Sequence, residues 1–245
     1  MYESMLATLG LGFVLGLKHA TEADHLAAVS TIVTERRSLW QSAAVGALWG
    51  VGHSASLFVA GFFVIALGMV IPERAANLLE LAVALMIVLL GTRLLYVVLR
   101  GQRAVHVHAH THGGKPHVHL HFHDEFQAHT VDTMHNDAHA GLSGWRPVLV
   151  GIVHGLAGSA ALTLLVLSEV VRNGTTALGF AYLLVFGAGS IAGMLLMTSL
   201  IGLPITLGVR FFQRALLPTR VLAGVLSTSF GVFYAVTIIG KLALL

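Results

Sequence analysis

The hydrophobic pattern of the chain consists of long apolar runs separated by short polar joins. A membrane core of about 30 Å requires about 20 helical residues for each crossing. Six segments reach that length, at residues 5–33, 39–71, 75–99, 147–171, 176–208 and 219–243. The pattern therefore predicts an all-α polytopic membrane protein with six transmembrane helices.

The composition agrees with a membrane location. Of the 245 residues, 56% are apolar and only 10% are charged, whereas a soluble domain has about 25% charged residues. The formal net charge of +3 is small, so we expect membrane lipid around the chain and no nucleic-acid partner. The chain has no cysteine, which excludes disulfides and thiolate metal ligands.

Lysine and arginine in the joins predict the orientation, because they favour the cytoplasmic side. With the N-terminus outside, the inside joins hold nine such residues and the outside joins hold three. This predicts that both termini lie outside a bacterial inner membrane. Residues 1–99 would form helices 1–3, residues 100–146 a cytoplasmic His-rich loop, and residues 147–245 helices 4–6.

The two halves share short patterns in the same order. GLKHATEADH is matched by GIVHGLAGSAA, WGVGHSA by FGAGSIA, and LLGTRLLYVV by SFGVFYAV. Three helices in each repeat would place the halves in opposite orientations, as in many secondary transporters. We expect an inverted repeat of three plus three helices. The alternative is that small residues recur because helices pack through them.

Eleven of the 15 histidines lie between His106 and His139. In HVHAHTH and HVHLHFH every second residue is His, and an extended chain points alternate side chains to one face. Such tracts are typical of transition-metal binding; a linker with incidental histidines is the alternative. The expected metal-capturing residues are His106, His108, His110, His112, His117, His119, His121 and His123.

The other four histidines lie inside the predicted membrane segments, where ionisable residues are costly and usually mark a functional site. Two acidic residues accompany them, whereas Glu80 and Glu169 lie near predicted helix ends and are interpreted as interfacial. A single buried histidine is usually a hydrogen-bonded core residue, but four beside two carboxylates favour metal binding. The candidate metal ligands are His19, Glu22, Asp24, His25, His53 and His154.

The spacing within the first segment makes a geometric prediction. On a regular helix His19, Glu22 and His25 form an arc about 120° wide, and Asp24 faces elsewhere. His19 and His25 would be about 9 Å apart along the axis, too far to share one ion with bonds of about 2.1 Å. We therefore predict a break between Ala20 and Asp24; a straight helix would indicate separate sites along a path.

These motifs resemble those of the nickel/cobalt transporter family. His19-x4-Asp24-His25 resembles its HX4DH signature, and WGVGHS resembles its second, Gly-His-Ser signature. The six-helix length, the fourth segment and the His-rich loop are most similar to the shorter urease-associated and NicO-type nickel/cobalt permeases. The resemblance implies that His19, Asp24 and His25 carry metal recognition, with His53 next. The sequence departs from the family pattern at Glu22, where the family has Asp.

The sequence thus predicts a secondary transporter and no enzyme, with Ni²⁺ as the first candidate cargo and Co²⁺ next; spacing alone does not exclude Zn²⁺. No prosthetic group is expected. The sequence contains no Gly-rich phosphate-binding loop with a lysine, so we do not expect the chain to hydrolyse ATP. Protons compete with metal for imidazole, so proton coupling is a natural hypothesis. A metallochaperone or a second copy of the chain are conceivable partners.

The residues leave two other classes of function open. A membrane metal sensor or chaperone without transport would need only the loop. A lipid acyltransferase also uses His-x4-Asp, with the His as base, but here the motif lies within a membrane segment and lacks a basic phosphate-binding site.

Overall fold

A computed structural model describes most of the helical part of the chain. It covers residues 2–34, 36, 38–67, 72–101, 105–112, 115–122, 145–156, 171, 175–211 and 213–244. The helices are α1 (Tyr2–His19), α2 (Ala23–Val33), α3 (Leu39–Leu67), α4 (Glu73–Gly101), α5 (Arg146–Gly155), α6 (Thr176–Phe211) and α7 (Gln213–Ala243). The strands are β1 (Val105–His112) and β2 (Lys115–Phe122).

Within these residues, four helices are long and apolar enough to cross a membrane. They are Leu39–Leu67, Glu73–Arg100, Thr176–Pro204 and Leu217–Ala243, and they coincide with the second, third, fifth and sixth predicted segments. The chain is therefore a polytopic helical membrane protein, as predicted.

The first and fourth predicted segments have a different form. The first consists of two shorter apolar helices, Met5–His19 and Ala23–Val33. The fourth begins as α5, and most of its remaining length, from residue 157 to 170, lies outside the described residues. The predicted count of six spans thus exceeds the four that the described helices provide.

The chain breaks between α1 and α2, where the sequence predicts a break. Tight turns end α1, with Thr21 N–H donating to the Lys18 carbonyl (2.9 Å) and Glu22 N–H donating to the His19 carbonyl (3.1 Å). Glu22 then takes an extended conformation (φ −65°, ψ 151°) as the N-cap of α2, without a side-chain cap hydrogen bond. Its carboxylate instead contacts the His19 side chain. The side chain that could cap α2 is therefore directed towards the end of α1.

Helix packing follows a reciprocal scheme. Helix α1 of the first half packs on α6 of the second half, and α5 of the second half packs on α3 of the first half. The remaining large interfaces join α3 to α6 and α4 to α7, with α2 against α7 and α4. Trp49, Val29 and Ile87 are buried in the core between α2, α3 and α4.

Glycines bring the backbones of α1 and α6 into direct contact. A Cβ atom at Gly16 would meet the Phe186 carbonyl and the Ser190 nitrogen, and one at Gly189 would meet the Phe13 carbonyl. Only a residue without a side chain fits such approaches, so these glycines set the separation of the two helices.

The interface between α5 and α3 is built in the same way. A Cβ atom at Gly151 would meet the Trp49 carbonyl and the His53 nitrogen, and one at Gly52 would meet the Val148 carbonyl. Gly151 is three residues before His154 and contacts the turn that carries His53. The close approach therefore brings two of the four membrane histidines together.

Between the two halves, β1 and β2 pair as an antiparallel hairpin. Its register sets His106 opposite His121, His108 opposite His119 and His110 opposite His117. The extended backbone agrees with the predicted alternation of histidines. The described residues of the predicted membrane segments are helical as predicted, and this segment adds a two-stranded sheet.

Candidate metal centre

Five of the six predicted membrane ligands meet at the break between α1 and α2. His19 ends α1, Asp24 and His25 begin α2, His53 lies midway along α3, and His154 lies near the end of α5. The four histidines are no more than 4% exposed. We call these five residues the histidine cluster.

One face of the histidine cluster joins three imidazoles. The Nε2 atoms of His19 and His53 are 3.0 Å apart, and the rings of His19 and His25 lie 4.5 Å apart between centroids. Ligand bonds of about 2.1 Å at right angles would place neighbouring ligand atoms about 3.0 Å apart. One potential ligand atom from each of His19, His25 and His53 lies within 4.8 Å of the others, so we call them the upper triad.

The other face, which we call the lower triad, consists of Asp24, His25 and His154. Asp24 Oδ1 lies 3.0 Å from His25 Nδ1, and Asp24 Oδ2 lies 2.9 Å from His154 Nε2. One carboxylate thus contacts two imidazoles through its two oxygens. Carboxylates that accept hydrogen bonds from metal-binding histidines fix the ring orientation and the tautomer.

Three nitrogen atoms in the histidine cluster are buried without a hydrogen-bond partner. They belong to His25 (Nε2), His53 (Nδ1) and His154 (Nδ1). When a neutral imidazole donates one N–H to Asp24, its second nitrogen presents a lone pair. A buried polar atom without a partner costs free energy, and a metal ion would satisfy the lone pairs of His25 and His154.

Glu22, the sixth predicted ligand, stands at the edge of the histidine cluster. Its Oε2 atom lies 3.1 Å from His19 Nδ1, and its side chain is 42% exposed. Neither triad includes it. The arc of His19, Glu22 and His25 that a regular helix would give is therefore absent. Because the helix breaks, Asp24 contacts His25 and His154 instead of facing away from them.

Two aromatic residues that sequence reasoning did not select line the histidine cluster. Trp49 lies 5.4 Å from the His25 ring and 5.5 Å from the His154 ring. Phe186 lies 5.7 Å from the His19 ring. Their signal was present in the matched segments WGVG and FGAG, in which each aromatic residue precedes the first glycine.

Seven of the eight predicted loop ligands lie on the hairpin strands, in two alternating series. They are His106, His108, His110 and His112 on β1, and His117, His119 and His121 on β2. His123 lies outside the described residues. The register places six of the seven opposite another histidine, and His112 opposite Lys115.

The fold and the site together define a class: a helical membrane protein with buried histidine groups that can hold a metal ion. A family model described as "High-affinity nickel-transport protein" (NicO) matches residues 5–243. The chain therefore belongs to the NicO family of nickel-transport proteins, which is a family of permeases and not of enzymes.

Two curated relatives are similar to this chain. The urease accessory protein UreH of Bacillus sp. (strain TB-90) is 36% identical over 232 residues, covering 94% of this chain and 91% of the relative. The hydrogenase nickel incorporation protein HupN of Bradyrhizobium diazoefficiens is 40% identical over 70 residues, covering 27% of this chain and 17% of the relative. No solved structure matches the chain.

Proposed function

We propose that this protein is a secondary transporter that carries Ni²⁺, and as a second choice Co²⁺, through the histidine cluster. Membership of a nickel-transport family supports the cargo, and the buried cluster of four imidazoles and one carboxylate supports the route. Nitrogen and oxygen ligands without sulfur suit these ions, and Zn²⁺ is a third candidate.

The two triads suggest how an ion would move. His25 belongs to both, so an ion can exchange partners on either side while one ligand is retained. His19 and His53 would hold the ion with His25 in the upper triad, and His154 would hold it with His25 in the lower triad, where Asp24 orients both rings. Each imidazole must be neutral to bind metal, so protons would compete at every step.

The helix interfaces support the proposed inverted repeat. The sequence match that aligns His19 with His154 also aligns Gly16 with Gly151. Gly16 contacts α6 at Phe186 and Ser190, and Gly151 contacts α3 at the aligned aromatic residue and the residue four positions later.

The third pair of matched segments makes equivalent contacts, with a glycine in each half packed against corresponding positions in the other half. Gly91 faces the Gly224 carbonyl and the Thr228 nitrogen, and Gly231 faces the Ala84 carbonyl and the nitrogen of Val88. A shift of 140 residues relates both sets of positions. Reciprocal contacts of this kind are what a pseudo-two-fold axis requires, and they support six spans arranged as three plus three.

The orientation and the loop complete the proposal. The excess of basic residues in alternate joins supports a bacterial inner membrane protein with both termini outside. The hairpin would then lie in the cytoplasm, where its histidines would capture or buffer metal. Lipid surrounds the helices, and a metallochaperone or a second copy of the chain could exchange metal with the hairpin.

Metal uptake into proteoliposomes tests the proposal. We expect the wild type to accumulate Ni²⁺ most strongly in a panel of divalent ions, and His25→Ala to abolish uptake because it removes the ligand common to both triads. Thr31→Val is the matched control, since Thr31 is buried on the same helix and its hydroxyl donates to the Ala28 carbonyl of that helix.

A second variant, His19→Ala, removes a ligand from the upper triad alone. Size-exclusion profiles establish that each variant is folded. Normal uptake by folded His25→Ala would refute the assigned site, and a wild type that moves no metal would refute transport and favour a sensor or chaperone.

A further inference from the structure

A cavity of about 330 Å³ lies beside the histidine cluster, between the start of α2 and helices α4 and α7. Its lining includes three carboxylates and one ammonium group: Glu22, Asp24, Glu80 and Lys241, with Ala23, Phe230 and Tyr234 completing the wall. Its carboxylates thus outnumber its single ammonium group. We call it the vestibule.

The vestibule shares its inner wall with the histidine cluster. Asp24 lines the cavity and also contacts His25 and His154. Glu22 lines it as well and contacts His19. The two carboxylates thus connect the same cavity to both triads. Because the imidazoles are almost fully buried, an ion needs such an opening to reach them.

Glu80 lies on the opposite wall and has no role in the histidine cluster. It is the eighth residue of α4, about 10 Å along the helix from its start, and its side chain is only 15% exposed. The helix is one of the four candidate membrane spans among the described residues. A carboxylate within a candidate span usually has a functional reason, so Glu80 is a candidate for a role in this cavity.

The partners of Glu80 leave it available to a cation. Its Oε2 atom lies 3.9 Å from Lys241 Nζ, and the lysine side chain is 56% exposed. Because the distance is long and the lysine is largely exposed, this ion pair contributes little to stability and opens easily. The Tyr234 side chain lines the same cavity as this carboxylate.

We infer that the vestibule is the opening through which divalent metal passes between the outside and the histidine cluster. Glu80 is the first carboxylate to attract the ion, and Lys241 competes with the ion for Glu80. This inference rests on the proposed transport function and adds two residues to it. Lys241 lies in the last turn of α7, which the proposed orientation places on the outer side.

The inference predicts opposite effects for the two charges. In proteoliposome uptake assays with Ni²⁺, Glu80→Gln should raise the KM about three- to tenfold and change the maximal rate less than about twofold, since the cluster itself is intact. Lys241→Gln should lower the KM about two- to threefold, because the competing cation is gone. Both effects should shrink at high ionic strength, where charges in open cavities are screened.

Glu73→Gln is the control, because Glu73 is an exposed carboxylate at the start of the same helix. A Glu80→Gln variant that matches this control would overturn the vestibule while leaving transport through the histidine cluster intact. A shift of the KM in the same direction for both variants would show that the pair only ties α4 to α7. A wild type without nickel uptake overturns both proposals.

Discussion

At the scale of single residues, Asp24 organises the site. Its two oxygens contact two imidazoles from different helices, and its backbone position in the first turn of α2 suits an anion. The carboxylate accepts from the Nδ1–H of His25 and the Nε2–H of His154, which leaves the opposite nitrogen of each ring as a ligand. Asp24 therefore acts through the histidines even where it does not bind the ion itself.

Replacing Asp24 by Asn tests this role. The amide keeps the shape of the side chain, but its NH₂ group cannot accept a hydrogen bond, so one of the two histidines loses its tautomer control. We expect nickel affinity to fall about 10- to 100-fold, as for other partners of metal-binding histidines. Equilibrium dialysis with purified protein measures the change, and unaltered affinity would contradict it. The same carboxylate-to-amide change at Glu3, an exposed residue of α1, is the control.

At the scale of elements, close helix contacts hold the histidine cluster together. Gly151 on α5 lies against the α3 backbone next to His53, and the break after α1 places the His25 ring of α2 beside the rings of His53 and His154. Neither helix can move outward without separating the imidazoles. The packing of α5 on α3 is therefore part of the site.

Gly151→Ala probes that packing. The added methyl group would meet the Trp49 carbonyl and the His53 nitrogen, and overpacking of this kind typically costs about 1–3 kcal/mol. Thermal unfolding in detergent should show the loss. Gly240→Ala is the control, because a Cβ atom there meets nothing within 4 Å and alanine is the better helix former by about 1 kcal/mol. Equal stability of the two variants would argue against the close interface.

At the scale of the whole molecule, the chain separates a membrane site from a histidine hairpin. The described contacts of β1 and β2 are with each other, whereas the histidine cluster is built entirely from α1, α2, α3 and α5. We therefore expect the histidine cluster and the hairpin to act independently. Transport through the membrane should not require the hairpin.

Deletion of residues 105–140 tests that independence. We expect Ni²⁺ uptake at saturating concentration to remain within about threefold of wild type in proteoliposomes, since every residue of the histidine cluster is retained. Loss of uptake in a deletion variant that still elutes as folded protein would show that the hairpin takes part in transport. Bound nickel per chain should fall, as measured by metal analysis of the purified protein.

The sequence predicted much of the fold because hydrophobic run length directly reports membrane helices. It also predicted the break after His19, since two ligands six residues apart cannot share one ion on a regular helix. It did not predict that Asp24 would contact two histidines, because helix geometry gives its direction only while the helix continues. The role proposed for Glu80 could not be predicted from the sequence, because it depends on the cavity between α4 and α7.

The sharing of His25 has a further consequence for stoichiometry. His25 has one nitrogen that Asp24 does not engage, and a single lone pair cannot serve two ions at the same time. Occupation of one triad by metal therefore excludes full occupation of the other, and two ions repel each other at such short separation. Each chain would then carry a single cargo ion in the cluster at any moment, and its saturation curve would be hyperbolic with no cooperativity.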